Sequence, residues 1–329
     1  MAIIDDPSAY FQTKIYTGNG SARALTFDGN SDLQPDWVWI KKRAGGSASG
    51  HVVTDVVRGV NKQLFTNEVE AEESYTSVLT AFGSNGFSLS TAGLCNTNTN
   101  TYVSWNWKKT ADAGFDIVSY SGNNGTNRQI SHSLSAKPDM MIVKCRQAGL
   151  WKIYHSSLGA TKYLVLSDTA AAVDNNSTWN DTEPTSSNFT LGDDGNVNET
   201  GETYINYLFA EKKGYSKFGS YKGNGNANGT FVYLGFLPAF VMVKASSASS
   251  YDWVMLDNKR DPFNVADESL YANLSGAVQT SNNTDFIAQG FKLRSTAAGN
   301  NGNGTTYIYM AVSYTHLRAH ETPEHLVCR

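Results

Sequence analysis

Four landmarks recur three times along this chain of 329 residues, in constant order and at a spacing near one hundred. Tyr16-Thr-Gly-Asn-Gly, Tyr120-Ser-Gly-Asn-Asn-Gly and Tyr221-Lys-Gly-Asn-Gly open the units. A proline and an apolar run closed by lysine follow each: Pro35 to Lys41, Pro138 to Lys144, Pro238 to Lys244. Next come Phe87, Phe189 and Phe291, spaced by 102 and 102, then Tyr102, Tyr204 and Tyr307, spaced by 102 and 103. Such a period has the size of a small domain, not of a solenoid repeat. The chain therefore reads as three copies, 1–112, 113–214 and 215–312, the last cut short.

Composition narrows the class. Apolar residues make up 40% and aromatics 12%, so Tyr, Phe and Trp are expected to fill the core. The 29 glycines sit among Asn, Ser and Thr between apolar runs, the vocabulary of short turns. A net charge of −4 leaves no electrostatic footprint for nucleic acid or an anionic membrane. The opening MAIIDDPSAYFQ lacks the basic and apolar regions of a secretory signal. No stretch approaches the roughly 20 apolar residues of a membrane span, so a soluble protein is expected. Cys95, Cys145 and Cys328 are too scattered for a disulfide framework or zinc site, and no cofactor or metal is implied.

Trp37 to Ile40, Met140 to Val143 and Phe240 to Val243 are short apolar runs rich in β formers, expected as central strands covered on both faces. Thr101 to Trp107 alternates, with Val103, Trp105 and Trp107 on one face, as a half-buried strand does. The Tyr-x-Gly-Asn-Gly phrases follow strands and predict hairpin or bulged turns. No long amphipathic helix is visible. The expected fold is all-β, with three tandem antiparallel β-sandwich repeats of jelly-roll-like type; strands shared between units are the alternative.

Catalytic spacing is absent. Gly223 to Gly229 lacks the following helix and the count of a dinucleotide loop. Glu68, Glu70, Glu72 and Glu73 could supply a glycosidase pair but occur in the first unit alone, so they read as a solvated face. Asp55 with Arg58 is echoed by Asp257 with Arg260 and replaced by His155 to Leu158 in the middle unit; it reads as an ion pair at a turn, or as a ligand site. Trp179, with Asn180 and Asp181, stands in a polar stretch where an indole could stack on a sugar or plug the end of a sandwich. Trp151 and Trp253 repeat and read as core.

The last stretch, 313–329, holds His316, His320 and His325, three of the six histidines. The string resembles the conceptual translation of sequencing-adapter DNA and is expected to be non-native. Pro323 and the wrong spacing exclude a zincin site there. Tyr307 to Val312 stops one or two residues short of the ending seen at Tyr204 to Glu211.

Tyr16-Thr-Gly-Asn-Gly, the run Gln34 to Lys41, the phrase Trp179 to Thr182 and the run Tyr215 to Tyr221 together are similar to an uncharacterised domain family of marine bacteriophage genomes, whose members resemble virion structural or tail-fibre proteins. The resemblance reaches Val312 and carries no catalytic residue. It implies a virion component, made in the host cytoplasm, in a tail fibre or adhesin that meets other virion proteins and a host-surface glycan, and trimeric by analogy. A glycan depolymerase and a capsid decoration protein are the alternatives.

Overall fold

The computed structural model describes residues 4–76, 78–91 and 93–314; it is all-β, with several antiparallel sheets. Among the described residues its α-helices are single turns, α1 (Gly93–Asn96), α2 (Asn176–Trp179) and α3 (Gly195–Asn198), and no helix is long and apolar enough to cross a membrane. The first third holds β1 (Phe11–Thr17), β2 (Arg23–Thr26), β3 (Trp37–Ala44), β4 (Val52–Asp55), β5 (Lys62–Phe65), β6 (Glu73–Ser74), β7 (Leu79–Gly83), β8 (Gly86–Leu89) and β9 (Thr101–Trp107). The second holds β10 (Phe115–Ser121), β11 (Arg128–Ser131), β12 (Met140–Cys145), β13 (Trp151–His155), β14 (Lys162–Val165), β15 (Val173–Asp174), β16 (Asn188–Leu191) and β17 (Thr203–Phe209). The third holds β18 (Ser216–Lys222), β19 (Phe231–Tyr233), β20 (Pro238–Ala245), β21 (Val254–Asp257), β22 (Ala266–Tyr271), β23 (Gln279–Ile287), β24 (Gly290–Leu293) and β25 (Thr306–Ser313).

One strand order recurs in the large sheets. It is β1-β9-β3-β4-β5-β6, then β10-β17-β12-β13-β14-β15, then β18-β25-β20-β21-β22, the last continuing through β23 and β24 to β19. The final strand of each third thus inserts between its first and its long apolar strand. Registers agree, with Tyr16 opposite Tyr102, Tyr120 opposite Tyr204 and Tyr221 opposite Tyr307. Small sheets β2-β8-β7 and β11-β16 pack on the outer faces of the first two. No hairpin follows the Tyr-x-Gly-Asn-Gly phrases: β1 and β2, like β10 and β11, lie in different sheets, and β18 and β19 are the opposite ends of one. A Cβ on Gly18, Gly122 or Gly223 would overlap the carbonyl oxygen of Thr97, Glu199 or Gly302. The phrase is locked by a buried amide: Asn96, Asn198 and Asn301 each accept the N–H of Asn19, Asn123 or Asn224 at 3.0 to 3.1 Å.

Strands β3, β12 and β20 are covered on both faces, as their unbroken apolar runs require. So is β9, against the half-buried reading: Tyr102, Ser104 and Asn106 are as buried as Val103, Trp105 and Trp107. Flanked by β1 and β3, it has an outer face that meets the small sheet while its inner face enters a core drawn from all three thirds. There Trp37 stacks on Tyr207 with centroids 4.7 Å apart, and Trp107 meets Phe240 edge-on at 5.8 Å. Strand β25 is not cut short. It pairs with β18 and β20 along its length, and Ser313, first residue of the supposed tail, is its last. The rest of that tail, from 315, lies outside the described residues.

Candidate functional site

The repeated aspartate–arginine pairs are interior. Asp55 Oδ2 accepts from Arg58 Nε at 2.5 Å and from the Tyr207 hydroxyl at 2.8 Å, a residue of the second third. Asp257 Oδ2 accepts from Arg260 Nε at 2.6 Å and from Trp105 Nε1 at 2.9 Å, a residue of the first. In the second third His155 takes the place, with Nε2 3.1 Å from the Tyr309 carbonyl of the third. Each pair thus ties one third to the next, and with its side chains shielded from solvent it presents nothing to a ligand. Burial opposes the charge of Arg58, yet Asp55, Tyr207 and Glu72 hold its pKa above the usual guanidinium value. Glu72 is no solvated face: its side chain is 7% exposed and bridges Arg58 and Arg146. Burial pushes its carboxyl up, but the two arginines hold it below the ordinary value.

The lysines closing the apolar runs complete a cyclic lock. Lys144 Nζ donates to the carbonyls of Gln147 and Gly149 and, in the preceding third, of Val69, at 3.0 to 3.2 Å. Lys244 likewise reaches Tyr251 and Thr169, and Lys41 reaches Ser49 and Ser275. Burial lowers all three ammonium groups to about 8. Indoles reinforce the same seams, Trp151 Nε1 donating to Phe65 O at 3.0 Å and Trp253 Nε1 to Val165 O at 2.8 Å. His51 replaces the indole in the first third. Its Nδ1 accepts from Trp39 Nε1 at 2.9 Å, which leaves Nε2–H to donate to Tyr271 O at 2.9 Å. Burial drives His51 well below 6.5, so this neutral tautomer persists.

Trp179 is 1% exposed, edge-on to Tyr154, with Nε1 3.2 Å from Lys162 O. Its indole offers no face to a sugar. Asn180 and Asp181 follow in the left-handed region, ending α2.

The three thirds also differ where the last strand of each ends. Where the chain leaves β9, Lys109 N–H donates to Asp36 Oδ2 at 2.7 Å; where it leaves β17, Glu211 N–H donates to Asp139 Oδ2 at 2.8 Å. In the last third Ala239 occupies the aspartate position, since Asn258 N–H bonds its carbonyl as Val56 and Ser156 bond those of Asp36 and Asp139. Recesses gather there around Tyr314. One of about 430 Å³ is lined by Ile4, Glu211, Lys217, Tyr233, Phe236 and Leu237. A second of about 300 Å³ is lined by Leu237, Pro262, Phe263 and Phe286, and a third of about 100 Å³ lies under Lys259.

Residues 6–315 match the profile of DUF7483, described as a domain of unknown function. The chain belongs to the DUF7483 family. No curated protein matches it, and no solved structure does. The matched span takes in every strand from β1 to β25 and leaves out residues 316–329.

Within this DUF7483 domain two of these recesses carry the aromatic side chains most open to solvent among the described residues, Tyr233 at 59% in the first and Phe263 at 84% in the second. Lys217 Nζ lies 6.0 Å over the Tyr233 ring and 3.9 Å from Glu211. Burial raises the Glu211 carboxyl, with Lys217 opposing. Aromatic faces rimmed by paired charges suit the C–H face of an uncharged polar ring. Sequence reasoning passed over Tyr233, and the repeat held the signal. Register places Phe231 and Tyr233 where the first third has Ala24 and Thr26 and the second Gln129 and Ser131. The core-facing positions between them, Leu25, Ile130 and Val232, are apolar in all three.

Proposed function

We propose that the protein is a structural and glycan-binding component of a bacteriophage particle, in a tail fibre or adhesin, built as three tandem jelly-roll-like sandwiches. The resemblance of its repeated phrases to phage virion proteins supports the setting. The observation that carries the binding role is the pair of adjoining recesses beside Tyr314: Tyr233 is exposed in one and Phe263 in the other, in the third that has Ala239 where the first two have Asp36 and Asp139. Other virion proteins and a host-surface glycan are its partners, the virion its location, and a trimer the expected assembly by analogy with fibres.

A glycan array on the full chain tests the reading. Binding that weakens roughly tenfold or more in Tyr233→Ala and Phe263→Ala supports it; a profile unchanged by both substitutions removes the recess from consideration. Mass spectrometry of purified particles checks the location and separates fibre from capsid decoration. Glu211, raised by burial in a recess that Asp5 also lines, favours the depolymerase as second reading. Release of reducing ends from a bound polysaccharide, lost in Glu211→Gln, would decide for it.

A further inference from the structure

The contacts that close the circle of three thirds are unequal. Every seam has the same frame: a buried lysine and an indole or imidazole reaching carbonyls of the neighbour, and one backbone bond. That bond runs from Glu72 N–H to Arg146 O, from Ala172 N–H to Ser246 O and from Val278 N–H to Arg43 O. Charge reinforces two of the seams. Between the first and second thirds Glu72 accepts from both Nε and Nη2 of Arg146, at 3.0 and 2.8 Å. Between the third and first, Arg43 meets Glu268 at 2.5 Å and Lys259 meets Asp28 at 3.1 Å. Between the second and third, Ala172 and Ser246 hold the places of Glu72 and Arg146. Among the described residues the one ion pair there is Glu211 with Lys217, 3.9 Å apart and partly exposed.

The same seam differs inside. Asp55 and Asp257 receive protons from Tyr207 and Trp105, but register puts Met310, which has none to give, at that place in β25. Leu158 stands where the other thirds have Arg58 and Arg260. His155 fills the aspartate position: its Nδ1 accepts from Ser157 N–H at 3.2 Å, so Nε2–H donates to Tyr309 O across the seam. Its neighbours bring no charge to it. Phe218 of β18 lies 6.3 Å from the imidazole and Met140 of β12 is opposite in register. Lys152 of its own strand turns to Asp194 on the other face, Asp139 is engaged with Glu211 N–H, and the Tyr309 hydroxyl lies over Gly219. A proton on Nδ1 would set a donor against the Ser157 N–H and leave a buried cation with one carbonyl. We propose that this seam is an acid-operated joint: protonation of His155 parts the second and third thirds while the first stays bonded to both. Acid also acts on His51 in the third-to-first seam, but Arg43 with Glu268 and Lys259 with Asp28 still close it.

Hydrogen exchange of the full chain, read amide by amide in neutral and acid solution and corrected for the intrinsic rate, tests the joint. Ala172 and Ser250 N–H bond across it, to Ser246 O and Thr169 O. Glu72 and Gly149 N–H cross the first-to-second seam, and Val278 and Ser49 N–H the third-to-first. Between about pH 7 and about pH 4.5 the protection of Ala172 and Ser250 is expected to fall roughly thirtyfold or more, and that of the other four less than about threefold. His155→Asn keeps a donor for Tyr309 O but takes no proton, and is expected to abolish the loss at Ala172 and Ser250. Should that variant fail to fold, His155→Gln carries the same expectation. Equal loss at all six amides, no loss at Ala172 and Ser250, or a loss that persists in the folded His155 variant overturns the proposal. A greater loss at Val278 and Ser49 would place the joint at the seam of His51, and overturns it as well.

Discussion

Buried cations and imidazoles decide how this molecule responds to pH. Lys144 keeps its ammonium among the carbonyls of Val69, Gln147 and Gly149, so Lys144→Met leaves three acceptors without their donor. The expected cost is about 1 to 3 kcal/mol by urea denaturation; a variant as stable as the parent would mean that relief of the buried charge outweighs the lost bonds. Burial lowers the three lysines from 10.5 in the reference state to about 8 in the fold. Between those values the unfolded chain binds more protons, so these groups add stability as pH rises through that window. His155 works on the acid side. Burial lowers it from 6.5 to about 4, so the unfolded chain takes up the proton first and stability is lost as pH falls from 6.5 toward 4. The parent should lose about 2 kcal/mol more than His155→Asn between pH 7 and 4.5; a difference independent of pH contradicts the assignment. None of this was legible beforehand. The lysine's place at the end of an apolar run could be seen, but its acceptors Val69 and Thr169 lie 75 residues away from Lys144 and Lys244.

Among the elements, close approach and outward-facing positions separate what the fold needs from what it merely carries. Gly122 abuts the Glu199 carbonyl, whereas a Cβ on Gly276 meets nothing within 4 Å. Gly122→Ala should therefore cost about 1 to 3 kcal/mol by overpacking and Gly276→Ala should fall within about 0.5 kcal/mol of the parent; equal effects would deny the Tyr-x-Gly-Asn phrase its close packing. Tyr233 faces out of β19, so Tyr233→Ala should change stability by no more than about 0.5 kcal/mol. A large loss would make the ring structural and take the recess with it. Strands were easy to find because the runs at Trp37, Met140 and Phe240 are unbroken and made of aromatic, β-branched and methionine side chains. Their partners were not, since Tyr16 pairs with Tyr102 across the whole third, so the adjacent glycines looked like a hairpin. Polar Ser104 and Asn106 made β9 look half-exposed, although the small sheet covers that face.

Over the whole molecule, one inner core holds Trp37 and Trp107 of the first third, Tyr207 and Phe209 of the second, and Phe240 and Met310 of the third. The triple phrase in the sequence announced the recurrence of the strand pattern; the pooling of inner faces could not be read from it, because each third alone shows enough apolar residues for a core of its own. The seams close head to tail: the loop of residues 66–72 bonds the second third through Glu72 N–H to Arg146 O, Ala172 N–H bonds Ser246 O, and Val278 N–H returns to Arg43 O. A fragment ending at Gly214 would uncover the faces that Phe240 and Met310 seal, and should aggregate where the full chain does not. Differential scanning calorimetry of the full chain tests this most directly. With one shared core, heat capacity should rise through a single peak whose calorimetric and van't Hoff enthalpies agree. Two or three resolved transitions, or a fragment of residues 1–112 that melts cooperatively alone, would mean that each third stands by itself.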